Sequence, residues 1–329
     1  MSGDDYSVTV EWVQEQLRDL QRNADDIWGV RPDIANSFKE WSTIKLIILA
    51  GVVDLYTTII PKHFDNFFYI DAMSGSGSVV IEEHEERFVG SPILTSALAH
   101  EPFNHMYLIE FDSERAQALR QRMEFVSSEL DYGVDGNFTV IEGDANEEIP
   151  ELVDNEIQDA ILDSGSVHTL SFVDNEGADI EWSTIEKLTT VYSDLVVNFP
   201  SNNIQRMAGV LNATALNEFY GNSRWRGAGT DSMELLTIYK GGLSEVGRDM
   251  QEAIRVHGSR NFHYDVIYAT RETANGSPYM TAFEWMQDKL EDLDGDDIDR
   301  VLRYMRGEAV DFNPFPGPDP DQTGLGDFL

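Results

Sequence analysis

The segment FFYIDAMSGSGSVV, which spans Phe67 to Val80, places an aspartate and two glycines directly after an apolar run. Glycine lets the backbone adopt left-handed conformations and pass close to a ligand, and a turn between a strand and a helix also presents backbone N–H groups. A P-loop would need a lysine after the glycines, and a dinucleotide site would need a third glycine where the chain has Val80. The remaining pattern, Asp71-x-x-x-Gly75-x-Gly77, has the form of the first motif of an S-adenosylmethionine site.

Three further apolar segments that we interpret as strands also end in an acidic residue, namely Glu110, Asp144 and Asp163. The carboxyl ends of parallel strands meet at one edge of a sheet, so these acids are expected to surround one crevice. An acid after the first strand can hold the ligand's ammonium group, and one after the second can bind both ribose hydroxyls. An acid after the third strand can meet the adenine amine, and one after the fourth lies beside the transferable methyl group. The residues predicted to bind the cofactor are Asp71, Ala72, Gly75, Ser76, Gly77, Glu110, Phe111, Asp144 and Ala145.

A simpler interpretation of these acids is that aspartate and glutamate are common after strands in any acidic α/β protein. One such residue would carry little weight. Four successive strand ends in the expected order favour the cofactor site over that alternative.

Apolar segments alternate with helical patterns up to Pro200, which is typical of a mostly parallel sheet with helices on both faces. The sequence therefore predicts a Rossmann-like α/β fold of the class I methyltransferase type, with a helical N-terminal extension and a helical insertion after the fifth strand. The predicted divisions are 1–62 (N-terminal helical segment), 63–200 (core), 201–310 (insertion and late strand) and 311–329 (flexible tail). The predicted strands are Phe67–Ile70, His105–Ile109, Phe138–Ile141, Ile157–Leu162, Asp194–Val197 and Phe262–Ala269. The main predicted helices are Val8–Leu20, Ile34–Ile60, Ser113–Leu130, Thr184–Thr190, Asn203–Tyr220, Met233–Val256 and Tyr279–Leu293, with a further one starting at Ser91.

The composition is strongly acidic, with 60 acidic residues, 23 basic residues and a formal net charge of -37 among 329 residues. Such a surface suits a cytosol at molar salt, where the Debye length falls to about 3 Å and repulsion between carboxylates is screened. We therefore expect a cytoplasmic, nucleoid-associated protein of a salt-adapted archaeal or bacterial host, and we expect no apolar run long enough to span a membrane. The absence of cysteine excludes disulfides, thiolate metal sites and cysteine nucleophiles, and we predict no metal site.

Several segments together resemble the three-Cys-motif partner (TcmP) family, a Rossmann-like group of methyltransferase type. The resemblance implies S-adenosylmethionine as the cofactor and implies a neighbouring partner protein of the Gp37/Gp68 type that contains the three-cysteine motif. It extends from about Phe38 to about Trp285 and depends on the order of the motifs. The matching segments are Lys45 with the ILA that follows, YIDAMSGSG, GSPILTSAL, YLIEFD, EGDAN, the LD of ILDSGS, IEWSTIEKL, NFPSNNIQR and YATRETANGSPYM.

The predicted catalytic centre departs from that family, which has D-P-F-G after the fourth strand where this chain has Asp163-Ser164-Gly165-Ser166. The proline and aromatic ring that would position a target amine are missing. Ser164, Ser166 and His168 are polar groups that can substitute, with His168 as a candidate base, and the predicted catalytic residues are Asp163, Ser164 and His168. The alternative is an ordinary loop and a degenerate centre.

A group of residues after the fifth strand is expected to edge the same crevice on the substrate side. An arginine–tryptophan–arginine sequence can stack on bases and contact phosphates. The alternative is that the tryptophan packs in the core between two solvated arginines. The predicted substrate-side residues are Asn198, Arg206, Arg224, Trp225 and Arg226.

The C-terminal peptide QTGLGDFL fits the pattern by which many DNA enzymes bind the sliding clamp, PCNA. Glutamine would anchor by hydrogen bonds, while leucine and the aromatic side chain would fill an apolar pocket on the clamp. The polar segment before it would act as a flexible tether. The predicted clamp-binding residues are Gln322, Leu325, Phe328 and Leu329.

These observations favour a methyltransferase-like protein that binds S-adenosylmethionine and is delivered to DNA by the clamp, in repair or processing. A non-catalytic adaptor between the clamp and a partner protein is the first alternative. A methyltransferase of small molecules or proteins, for which the clamp peptide would be irrelevant, is the second.

Overall fold

The computed structural model describes residues 3–81, 84–210, 213–258, 262–272, 278–290, 293–308 and 310. The strands are β1 (Asn36–Phe38), β2 (Asn66–Asp71), β3 (Ser78–Ile81), β4 (Glu86–Val89), β5 (His105–Glu110), β6 (Phe138–Glu142), β7 (Val167–Asp174), β8 (Ser193–Phe199), β9 (Met250–His257) and β10 (His263–Thr270). The helices are α1 (Gly3–Gln21), α2 (Ala24–Val30), α3 (Ser42–Ile59), α4 (Ser91–Leu98), α5 (Ser113–Glu129), α6 (Ala145–Leu152), α7 (Gln158–Ser164), α8 (Trp182–Leu188), α9 (Ser201–Gly209), α10 (Ala213–Tyr220), α11 (Ser232–Glu245), α12 (Pro278–Leu290) and α13 (Gly295–Met305).

The main sheet has seven strands in the order β6-β5-β2-β7-β8-β10-β9. The five strands from β6 to β8 run parallel, while β10 is antiparallel to both of its neighbours. The chain proceeds outward from β2 through β5 to β6 and then returns to β7 on the other side of β2. This reversal creates a crevice at the carboxyl ends of the central strands. The arrangement confirms the predicted Rossmann-like α/β fold of the class I methyltransferase type.

Two apolar layers cover the two faces of the sheet, because successive side chains of a strand point to opposite faces. In β2, Tyr69 packs into one layer, which includes α1, α3, α4, α5, α12 and α13. Phe68 and Ile70 pack into the other, which includes α6, α8, α9, α10 and α11. The predicted helical insertion after the fifth strand is present as α9, α10 and α11, whereas the domain boundaries at 62, 200 and 310 stay predictions.

The fourth strand was assigned wrongly from sequence. Ile157–Leu162 is not a strand, because it falls in a π-helical turn and in α7, none of whose residues is buried. Leu162 is 81% exposed, whereas a central parallel strand must be covered on both faces. The strand at that position in the sheet is β7, whose buried run VHTLSFV satisfies this requirement.

A second sheet, of three strands in the order β1-β3-β4, was also missed. The predicted helix Ile34–Ile60 begins only at Ser42, and β1, which precedes it, pairs in parallel with β3. The glycine-rich turn therefore leads into a β-hairpin before α4, and the N-terminal segment lies across that hairpin. Similarly, the predicted helix Met233–Val256 stops at Glu245, and the chain continues as β9.

The segment Ser42–Lys62, which contains α3, is long and apolar enough to cross a membrane, contrary to expectation, with a mean hydropathy of 1.8. It is 72% buried within the protein, as the central helix of a globular core would be.

Candidate functional site

A cavity of about 420 Å³, called the first cavity below, lies at the carboxyl ends of β2, β5, β6 and β7. This volume lies within the range of small-molecule sites, and the position is where ligands bind in open α/β sheets. Among the described residues, its wall carries six carboxylate side chains and one guanidinium, and the Lys45 ammonium pairs with one of these carboxylates, so the net charge around the cavity is negative. The charged residues that line it are Glu110, Asp112, Arg115, Asp144, Asp174, Glu176 and Asp179.

The glycine turn forms one wall of the first cavity. Gly75 and Gly77 have φ values of 62° and 77°, in the left-handed region that favours glycine. A Cβ on Gly75 would also lie 2.9 Å from Oδ1 of Asn36, the residue that starts β1. The turn thus needs glycine both for its backbone conformation and for the close approach of the N-terminal segment.

Glu110 connects β5 to this turn. Its Oε2 accepts a hydrogen bond from the Gly75 N–H at 2.8 Å, and its Oε1 accepts one from the Asp112 N–H at 2.9 Å. The carboxylate is therefore fixed in the wall of the first cavity with lone pairs left for a ligand, since a carboxylate has about four acceptor sites. This agrees with the predicted position of a group that binds two ribose hydroxyls.

The adenine side of the predicted site contains Phe111, Asp144 and Ala145, which all line the first cavity. The Phe111 ring is 78% exposed, which is unusual for a phenylalanine and leaves a face free for a flat ligand. Asp144 caps α6, with Oδ1 accepting from the Asn146 N–H at 2.9 Å, so its second oxygen remains available.

Of the nine predicted cofactor residues, Asp71 and Ser76 do not line the first cavity; both are fully buried. Ser76 donates its N–H to Asn36 Oδ1 at 2.8 Å, which attaches β1 to the turn. Asp71 accepts from the Tyr69 hydroxyl at 3.0 Å and from the Met73 N–H at 3.3 Å, so it supports the turn from behind. Burial raises the pKa of the Asp71 carboxyl to about 7; hydrogen bonds from Ser91 and Tyr69 oppose this increase, and the nearby Asp174 carboxylate adds to it.

This raised pKa predicts a pH dependence that an Asp71→Asn variant should lack. The folded protein holds the Asp71 proton more tightly than the unfolded chain, so its stabilising contribution is complete below about pH 4 and is lost as pH rises to about 7. Over that window the free energy of unfolding of the variant, relative to wild type, should rise by up to about 4 kcal/mol. Urea unfolding of both proteins across pH 4–8 measures this difference in the free energy of unfolding, and parallel curves of stability against pH would contradict the prediction.

The acid at the end of the true fourth strand is Asp174, which sequence analysis missed. Its Oδ2 lies 2.5 Å from the Lys45 ammonium nitrogen, and its Oδ1 accepts from Nδ2 of Asn198 at 3.0 Å. The chain continues after this strand as Asp174-Asn175-Glu176-Gly177, which also lacks a proline and an aromatic ring. The sequence did hold a signal, because VHTLSFVD has the length of a strand, with three β-branched residues before its acid, whereas AILD has only three apolar residues.

The three predicted catalytic residues are not at this site. Asp163 and Ser164 end α7, just before β7 begins, and therefore lie at the opposite edge of the sheet; the Ser164 hydroxyl donates to the Ala160 carbonyl at 2.7 Å. His168 lies near the start of β7, where it is buried and its Nδ1 is 2.8 Å from the Tyr56 hydroxyl. Burial lowers the pKa of His168, which fits a neutral core histidine.

Most of the predicted substrate-side cluster is also absent from the site. Trp225 is only 1% exposed and donates its indole N–H to Asn217, so it is a core residue that cannot stack on a ligand. Arg224 forms an ion pair with Glu245, and Arg226 lies over the Trp225 ring at 4.7 Å. Arg206 donates to Asn203, and it lines neither of the cavities described here.

Asn198, in contrast, lies where it was predicted, at the carboxyl end of β8. It lines a smaller cavity of about 200 Å³, called the second cavity below. Phe38 and Glu176 line both cavities, so the two adjoin.

The predicted clamp-binding residues Gln322, Leu325, Phe328 and Leu329 lie outside the described residues. Within the described ranges, no group of three or more histidine, aspartate or glutamate side chains is placed to hold a metal ion.

Comparison with known proteins adds a general likeness of fold. No family model and no curated protein matches this sequence. Among solved structures, the chain is similar to the O-methyltransferase TomG from Streptomyces achromogenes in complex with S-adenosylmethionine, with 15% identity, 82% of this chain and 99% of that chain covered, and a TM-score of 0.40. It is similar to an O-methyltransferase from Bacillus cereus in complex with S-adenosylhomocysteine, with 9% identity, coverage of 68% and 80%, and a TM-score of 0.38. It is also similar to the protein LPL1258 from Legionella pneumophila, with 11% identity, coverage of 75% and 92%, and a TM-score of 0.46. These TM-scores are below 0.5, so the similarities do not establish the fold by themselves. The assignment of a methyltransferase-like fold depends on the order and direction of the strands in the main sheet.

Proposed function

We propose that this protein binds S-adenosylmethionine in the first cavity and transfers its methyl group to an acceptor in the adjoining second cavity. The charge of the first cavity is the observation that carries the proposal. S-adenosylmethionine has a sulfonium and an ammonium against a single carboxylate, so it is a net cation. ATP and NAD carry negatively charged phosphates, which a wall of six carboxylates and one guanidinium repels.

The residues of the first cavity fit the parts of this cofactor. The fixed Glu110 carboxylate suits the ribose hydroxyls, the exposed Phe111 ring suits the adenine face, and Asp144 suits the adenine amine. Arg115 suits the carboxylate of the cofactor, and Asp174 suits its positive centre. When bound, S-adenosylmethionine supplies an electrophilic methyl group on a positively charged sulfur, and the chain's task is to orient it and exclude water.

The adaptor alternative loses the support it drew from the sequence Asp163–Ser166. That segment lies at the opposite edge of the sheet, although Asp174–Gly177 at the strand end also lacks the proline and the aromatic ring. The open, charged first cavity favours a ligand-binding protein over a purely structural one.

Ligand selectivity tests the proposal. In calorimetric titrations we expect S-adenosylmethionine and S-adenosylhomocysteine to bind with one site per chain, and ATP and NAD to give no heat of binding. Binding of ATP or NAD without binding of either sulfur nucleoside would overturn the assignment.

Recruitment to DNA by PCNA, a role in repair and an association with a three-Cys-motif partner are further parts of the proposal, and the sequence motifs support them. The clamp interaction has a direct test. Removal of residues 322–329 should abolish co-purification with PCNA at high salt, and unchanged co-purification would remove this part of the proposal.

A further inference from the structure

We infer that the second cavity is an acceptor site for a flat aromatic ring that bears a primary amino group. This inference deepens the proposed function and depends on it. The second cavity adjoins the first through Phe38 and Glu176, so a group held there lies next to the place from which a methyl group would be delivered.

Four aromatic side chains form part of the wall of the second cavity, beside seven polar or charged residues. Phe38, Trp41, Phe262 and Tyr264 line it, and the Trp41 and Phe262 rings lie 5.8 Å apart at an angle of 42°. Aromatic side chains bind flat rings through their faces and edges. A volume of about 200 Å³ accommodates one ring system of one or two cycles.

Polar residues also line the second cavity, and among them Asn198 has a side-chain acceptor that is buried and, within the described part of the chain, unpaired. The Asn198 amide is only 7% exposed, and its Nδ2 donates to Asp174 Oδ1 at 3.0 Å and to the Asn175 carbonyl at 2.8 Å. These two acceptors fix the orientation of the amide, because only its nitrogen can donate. Its Oδ1 is then buried with no hydrogen-bond partner among the described residues. A buried acceptor of this kind costs about 1–3 kcal/mol when unpaired, so a ligand N–H or O–H that reaches it is favoured.

The surrounding charges favour an amine over a hydroxyl. An aromatic amine attacks through its neutral lone pair and loses a proton only afterwards, whereas a hydroxyl requires a base to remove its proton first. The Asp174 carboxylate is already engaged, since Lys45 contacts its Oδ2 and Asn198 donates to its Oδ1. No histidine lines the second cavity among the described residues.

The transfer balances without another reactant. The amine lone pair forms the new N–C bond while the S–C bond of the sulfonium breaks and leaves its electron pair on sulfur. The ammonium that results gives one proton to water through the exposed Glu176 carboxylate, which lines both cavities.

Tryptophan fluorescence tests this inference separately from catalysis, because Trp41 lines the second cavity. The protein is first saturated with S-adenosylhomocysteine, which fills the first cavity, and is then titrated with adenine, cytosine, hypoxanthine or uracil. Fluorescence quenching gives the affinity for each base. We expect the two amino-bearing bases to bind at least tenfold more tightly than the two oxo-bearing bases, and we expect the quenching to disappear in Trp41→Phe. Equal binding of both kinds, or binding of neither, would overturn the inference.

Two variants separate the parts of the inference. Asn198→Leu should remove the preference for the amino group, while Phe262→Ala should weaken all four bases about equally and keep the preference. Binding of S-adenosylhomocysteine by each variant reports that it is folded. If the wild type does not bind S-adenosylhomocysteine, the proposed function itself is contradicted. If it binds S-adenosylhomocysteine but shows no preference for amino-bearing bases, only this inference is contradicted. Single-stranded oligocytidine and oligothymidine, compared with the free bases, show whether the amine is presented by a nucleic acid or by a small molecule.

Discussion

Asp174→Ala should lower the free energy of unfolding by about 3–5 kcal/mol, because it leaves the Lys45 ammonium buried without a counter-charge. Lys45 is only 7% exposed, and its nitrogen lies 2.5 Å from Asp174 Oδ2. The same change removes one of the two acceptors of the Asn198 amide, so the wall between the two cavities should also loosen.

A double-mutant cycle distinguishes a buried charge from a general loss of packing. Lys45→Met combined with Asp174→Leu removes both charges, and this pair should recover most of the lost stability, since a buried ion pair is often replaceable by apolar residues. Urea unfolding of the wild type, Lys45→Met, Asp174→Leu and the double variant gives the coupling energy. Additive losses would show that the two residues do not act as a pair.

Arg122→Met should cost a similar amount, about 3–5 kcal/mol, and should release the N-terminal segment. The Arg122 side chain is fully buried, and it donates to the carbonyls of Ile27, Ser76, Arg31 and Ile34 at 2.6–3.2 Å. Burial lowers its pKa to about 10, so it is still protonated at neutral pH. Its loss would leave these carbonyl groups without their donor and detach β1 from the glycine turn.

Arg120→Met on the same helix is the matched control. Arg120 donates one bond, to the Val140 carbonyl at 3.1 Å, from a half-buried position, so its removal should cost about 1 kcal/mol or less. Urea unfolding measures both losses, and limited proteolysis should cleave the first 35 residues faster only in Arg122→Met. Equal losses in the two variants would contradict this role for Arg122.

The sequence predicted the fold well where patterns were local. Strands β2, β5 and β6 were placed to within a residue or two, because each is a short apolar run followed by an acid at the sheet edge. The same pattern failed at Asp163, because AILD and FVD look alike until burial is known; only the second is covered on both faces.

The features that sequence analysis missed depend on contacts between distant segments. The pairing of β1 with β3 joins residues about 40 positions apart, and Asn36–Phe38 alone is too short to be recognised as a strand. Lys45 was noted only as part of a motif, and its partner Asp174 lies 129 residues later. For Trp225 the sequence left two interpretations open, and the fold agrees with the one that packs the ring in the core.

The central claim is that the first cavity holds S-adenosylmethionine against the Glu110 carboxylate. Calorimetric titration of Glu110→Gln beside Glu142→Gln tests it most directly, because Glu142 pairs with Glu110 in the sheet and does not line the first cavity. Hydrogen bonds to a charged group contribute about 1.5–3 kcal/mol each, so Glu110→Gln should weaken binding by roughly 100-fold while Glu142→Gln binds like the wild type. Unchanged binding in a folded Glu110→Gln protein, or equal losses in both variants, would contradict the account.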